Sequence, residues 1–116
     1  MPAAFVTTKE NDDSITISVN TNGFRASTSI FLNHNLIKTI DDEFEDFYLG
    51  TNRGLKNNVI SITTIVFKYP TDATKSEVTY LLTGAADVQP ENPVTSTQPF
   101  VEDVPAVPHF MVYYFI

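Results

Sequence analysis

Val59-Ile60-Ser61-Ile62-Thr63-Thr64-Ile65-Val66-Phe67-Lys68-Tyr69 contains no glycine, proline or acid, and β-branched or aromatic residues fill most of it. Their stiff, bulky side chains fit a pleated surface better than a helix, so the stretch predicts a central strand. A buried helix would also fit the length, but Asn57-Asn58 before it and Pro70 after it argue for a strand ended by a residue with no N–H to give. Ile60, Ile62, Thr64 and Val66 share one face; Val59, Ser61, Thr63, Ile65, Phe67 and Tyr69 share the other.

The rest of the chain punctuates in the same way. Phe5 to Thr8 reads as a short strand, and Ser14 to Asn20 alternates strictly between apolar and polar. Asn20-Thr21-Asn22-Gly23 has the residues that tolerate positive φ in a tight turn, and a strand over Phe24 to Leu32 follows it. After the turn Asn33-His34-Asn35, Leu36 to Ile40 can return as a strand. Between Asp41 and Leu49 the period changes. Ile40, Phe44, Phe47 and Tyr48 lie at helical spacing, acids crowd the start and Gly50 offers a stop, which predicts a short helix near 41–49. Glu77 to Thr83 alternates again and is expected to pair with the 59–69 strand as a long-tipped hairpin.

Five of the seven prolines fall between Gly84 and Pro108, a segment that reads as an extended, largely irregular arm. The expected organisation is therefore one domain: a β-sandwich body over 1–83, the arm over 84–108 and a terminal strand over 109–116. Short strands at regular intervals predict an all-β fold, a sandwich of Ig-like or jelly-roll-like type with about seven strands, and an open barrel is the alternative.

His109-Phe110-Met111-Val112-Tyr113-Tyr114-Phe115-Ile116 is apolar on both strand faces, so both need cover. Folding back into its own sandwich would supply it, and so would reaching across the arm to another subunit. Phe110, Met111, Val112, Tyr113, Tyr114, Phe115 and Ile116 are accordingly the candidate interaction residues.

Fourteen acids against seven bases give a net charge of −7, which opposes binding to phosphate backbones and anionic lipid, so nucleic acid is not an expected partner. Without cysteine there is no disulfide and no thiolate metal site. The N-terminus lacks a basic segment followed by an apolar one, and no span is long enough for a membrane helix. The expectation is a chain neither exported by a standard signal nor inserted in a membrane, placed in the cytoplasm or in an assembled particle.

No motif assigns a chemistry. His34 and His109 have no Gly-x-Ser-x-Gly elbow to work with, and the four glycines form no phosphate cradle. The acids Asp41, Asp42, Glu43, Glu45 and Asp46 do not follow the spacing of a calcium loop, so weak binding at most is expected there. Phe31, Phe44, Phe47 and Tyr48 are read as core aromatics in preference to a sugar platform, since tryptophan is absent. The expected function is a non-enzymatic structural or interaction subunit without catalytic residues, cofactor or metal, whose arm and final strand mediate self-assembly or contact another protein. The alternative is a ligand-binding β module of carbohydrate type, with the 84–108 loop lining its site.

Overall fold

The computed structural model describes residues 2–68 and 72–116. Tyr69, Pro70 and Thr71, where the central strand was expected to end, lie outside the described residues. The strands in chain order are β1 (Ala3–Thr7), β2 (Ser14–Asn20), β3 (Ala26–Leu32), β4 (Asn35–Asp41), β5 (Phe44–Thr51), β6 (Val59–Phe67), β7 (Lys75–Thr83), β8 (Asp87–Gln89), β9 (Val94–Pro99) and β10 (Ala106–Phe115); one short helix, α1 (Asn52–Leu55), precedes β6.

Two sheets pack face to face as a β-sandwich. The larger runs β4-β3-β6-β10-β1-β8 and the smaller β5-β2-β7-β9. Inward residues alternate along each strand. Ile15, Ile17 and Val19 of β2, Ile60, Ile62, Thr64 and Val66 of β6, and Val78, Tyr80 and Leu82 of β7 are all buried, as their sequence alternation predicts.

β10 lies in the middle of the larger sheet. It runs antiparallel to β6, from Ala106 opposite Phe67 to Tyr114 opposite Val59, and parallel to β1, with Ala3 opposite Val112 and Val6 opposite Phe115. The terminal strand thus completes its own sandwich.

Four expectations are corrected. The acidic stretch near 41–49 is not a helix: Phe44–Thr51 is a strand paired with β2. Register shifts interrupt that pairing, and Asp46 takes φ +54, a value that Asp tolerates better than most residues. Each extra residue displaces the inward positions, so Phe44 and Phe47 both pack against the core at a spacing that imitates a helix. The helix the chain does form is α1, where Thr51 Oγ1 accepts the Gly54 N–H at 3.0 Å.

The arm is less irregular than its prolines suggest. β8 pairs with β1 and β9 with β7, and Val94 and Ser96 turn inward. β6 and β7 are not a hairpin, because β6 lies between β3 and β10 whereas β7 lies between β2 and β9 in the opposite sheet. The described residues form ten strands where about seven were expected, the additional ones being β5, β8 and β9.

Polar groups tie the strand ends. The buried Asn52 donates its side-chain amide to the carbonyls of Asp13 and Gly84, each at 2.9 Å, and its Oδ1 accepts the Lys9 N–H at 2.8 Å. Gly84 has φ +107, and a Cβ there would collide with the Ser14 carbonyl oxygen.

Candidate interaction surfaces and the buried polar seam

The alternation of β10 divides the sequence-predicted residues into two sets. Met111, Tyr113 and Phe115 point between the sheets and are fully buried, together with His109. Phe110, Val112 and Tyr114 lie on the outer side, and Ile116 follows the strand end. Val112 is almost covered, while Phe110 is 40 % exposed, Tyr114 39 % and Ile116 56 %.

Phe5, which the sequence reading had not singled out, joins this outer set. The β1–β10 register places it opposite Tyr114, and the two rings stack with centroids 5.4 Å apart. Only the long-range parallel pairing brings them together, so no local sequence signal announces the contact. Next to this aromatic patch, Thr63 stands opposite Phe110 and Ser61 opposite Val112 on β6, with Ser29 and Phe31 beyond them on β3. An apolar centre thus has hydroxyl-bearing strands along one side.

The inner side of β10 takes part in a polar seam that joins the two sheets. His109 Nε2 lies 2.7 Å from Ser76 Oγ on β7, and Nδ1 lies 2.9 Å from Ser96 Oγ on β9. A neutral imidazole can donate to one hydroxyl and accept from the other. Burial lowers the His109 pKa from its usual value, which favours that neutral form; a bond to Ser96 opposes the effect in part. Both ring nitrogens are engaged inside a closed interior, so the arrangement acts as a clamp between sheets and gives a substrate no approach.

A second bridge runs from Tyr80 Oη, which donates to Thr64 Oγ1 at 2.8 Å, to Thr28 Oγ1, 3.0 Å from Thr64 Oγ1. Burial pushes the Tyr80 phenol up to about 12 despite that bond. Tyr113 Oη is also buried and has no hydrogen-bond partner among the described residues; burial and the nearby Tyr80 raise its pKa. His34 sits in the β3–β4 turn at φ +74, exposed and far in role from this seam.

The acidic cluster is spread over the end of β4, a turn and the start of β5. Asp42 is occupied by the Ala26 N–H at 3.1 Å and Arg25 Nε at 3.0 Å, and these bonds hold its pKa below the usual carboxylate value. Among the described residues no group of three or more His, Asp or Glu side chains is placed to hold a metal ion, and no helix is long and apolar enough to cross a membrane.

An open groove of about 760 Å³ runs over the outer face of the smaller sheet, lined among others by Ser18, Asn20, Glu45, Asp46, Leu81 and Pro93. Phe44 lies at its wall, but Phe47 packs against the core and Tyr48 is outside the lining. Comparison with family models, curated proteins and solved structures finds no match to this chain.

Proposed function

We propose that this chain is a non-enzymatic structural subunit that self-associates through the outer side of its C-terminal strand. The observation that supports this reading is the stacked Phe5–Tyr114 pair beside Phe110 and Ile116. These four large apolar residues are left substantially exposed on the outer side of β1 and the C-terminal segment. Scattered apolar residues on a surface need no explanation, but a stacked aromatic pair with two further large apolar side chains on the same outer side has the makings of an interface. The arm need not carry β10 to a neighbour for this contact, because β10 presents its outer side from within its own sheet.

Sedimentation velocity tests the reading. The wild-type chain is expected to show concentration-dependent association that Phe110→Ser/Tyr114→Ser weakens at least tenfold, with far-ultraviolet circular dichroism unchanged. Association of equal strength in the variant would remove this face from the account.

The groove over the smaller sheet supports a second reading, a ligand-binding module of carbohydrate type. Acid, amide and hydroxyl groups line one cleft there, and Pro93 brings the 84–108 segment to its edge. Glycan-array or calorimetric binding that is lost in Glu45→Gln/Asp46→Asn would favour it over the first.

A further inference from the structure

The outer face of the larger sheet is free of charge across four adjacent strands. Fourteen acids and seven bases give the chain −7, yet among the described residues no outward position of β3, β6, β10 or β1 holds any of them. The first charges met are at the two rims, Asp41 on β4 opposite Ser27 and Asp87 on β8 opposite Thr7. The outer side of the smaller sheet differs: Lys75 and Glu77 point outward from β7, and Glu43, Glu45 and Asp46 border the groove. A sheet face turned to water ordinarily alternates charged and polar groups outward, so four neighbouring strands without one form a surface of distinct chemistry.

The registers set these positions in rows. Phe31, Ser61, Val112 and Ala3 form one row across β3, β6, β10 and β1; Ser29, Thr63 and Phe110 form the next row on one side of it, and Val59, Tyr114 and Phe5 the next on the other. Hydroxyls therefore gather on β3 and β6, and large apolar groups on β10 and β1. Both kinds can face a copy of themselves, which a charge cannot. A hydroxyl donates and accepts, so it pairs with its like, as Thr28 does with Thr64 at 3.0 Å and Thr79 with Thr95 at 3.1 Å within this molecule.

We infer that this face is covered by the same face of a second copy, the two larger sheets packing about a two-fold axis into a closed dimer. The inference rests on the self-association proposed above and extends its contact from the outer side of β10 to β3, β6 and β1. Charge selects the occupant: a second chain of −7 is repelled wherever acids lie, and here two copies meet without opposing like charges, whereas a basic partner would be drawn to the acid-bearing surfaces instead. Symmetry selects the arrangement. Face-to-face pairing puts the axis in the plane between the sheets, and an axis along the strands would lay the hydroxyls of β6 on the aromatics of β10. An axis across the strands, along the row of Phe31, Ser61, Val112 and Ala3, lays β10 on β10 and β6 on β6, with Phe110 of each copy toward Tyr114 of the other. Four strands ~4.8 Å apart and four rows ~6.8 Å apart give a flat extent of roughly 500 Å², below the ~800 Å² that a standard interface takes from each partner, so the dimer is weak and concentration-dependent.

Phe110→Ser/Tyr114→Ser tests the reading on which this rests, and Ser29→Lys and Ser61→Lys test the face beyond β10. Ser29 lies two strands away from β10, and each lysine lowers the net negative charge, so a weaker dimer cannot come from added overall repulsion. In sedimentation velocity the wild-type chain is expected to form dimers and nothing larger, more tightly as salt screens the repulsion between copies, and each lysine variant is expected to weaken the dimer roughly tenfold or more with unchanged circular dichroism. Because the chain has no cysteine, Ser61→Cys reacts with a short bis-maleimide at one place; it is expected to give a linked dimer, whereas Thr97→Cys, exposed on the opposite face, is not. If both lysine variants associate as wild type does while Phe110→Ser/Tyr114→Ser does not, the contact is confined to β10 and the face pairing is overturned with the earlier reading intact. If wild type and all variants stay monomeric into the millimolar range, both are overturned. Species larger than a dimer, or association that weakens as salt rises, overturn the two-fold pairing of neutral faces.

Discussion

Replacing His109 by phenylalanine removes a side chain of β10 that hydrogen-bonds to two strands of the opposite sheet. The ring fits a space of similar shape, so the cost comes mainly from Ser76 and Ser96. Ser76 Oγ retains only its 3.4 Å approach to the Gln98 carbonyl, and Ser96 Oγ loses its bond to His109 Nδ1. An unsatisfied buried hydroxyl costs about 1–3 kcal/mol, so the pair predicts a loss of about 2–4 kcal/mol, reduced by the gain from burying phenylalanine.

The pH dependence supplies a second and more specific readout. The folded-state pKa of His109 is lowered, so as pH falls below 6.5 the unfolded chain takes up a proton that the folded chain does not. Its contribution is therefore complete above that pH and is lost on the way down to the folded pKa, at up to about 1.4 kcal/mol per pH unit, the limit for one proton. Urea denaturation of wild type and His109→Phe from pH 7.5 down to the onset of acid unfolding measures both effects. Carboxylates titrate in both chains and cancel in the difference. A variant as stable as wild type at neutral pH, or a stability difference that does not change with pH, would refute the clamp.

Two other polar features give predictions of opposite sign. Tyr113→Phe deletes a buried hydroxyl that has no partner among the described residues and is expected to be neutral or to stabilise by about 1 kcal/mol, whereas Tyr80→Phe breaks the bond to Thr64 and is expected to cost about 1 kcal/mol. Thermal and urea melts separate them, and a loss of stability in Tyr113→Phe would show that its hydroxyl is satisfied after all. At the strand ends, Gly84→Ala meets both a positive φ and the Ser14 carbonyl and is expected to cost at least about 2 kcal/mol, while Gly23→Ala, in open space though also at positive φ, costs less. Equal melting temperatures for the two glycine variants would contradict the close approach at Gly84.

Much of the fold is legible in residue order because most strands have one wet face or a simple inward alternation. β2 and β6 were read nearly to the residue, and the turn read at Asn33-His34-Asn35 falls on Asn33 and His34, which take φ 47° and 74°, while Asn35 begins β4. β5 was hidden by its bulges, which replace the two-residue period with a spacing that resembles a helix. β9 was hidden by flanking prolines that outweighed the Val94-Thr95-Ser96-Thr97 alternation. The sheet that each strand joins depends on long-range pairing, which is why Asn22-Gly23 marks a turn correctly yet leads from one sheet to the other. The same reason hid Phe5, whose place beside Tyr114 exists only once β1 and β10 lie parallel.

Neighbouring tyrosines on β10 point to opposite sides, Tyr113 into the core and Tyr114 to the outer side, where the proposed self-association would use it. Sedimentation velocity of Tyr114→Ser, with its melting curve set beside that of Tyr113→Ser, examines this division at adjacent positions. The account predicts that Tyr114→Ser melts close to wild type but associates more weakly, and that Tyr113→Ser is strongly destabilised by the loss of a buried ring. Tyr114→Ser that associates as wild type does, or Tyr113→Ser that melts as wild type does, would contradict it.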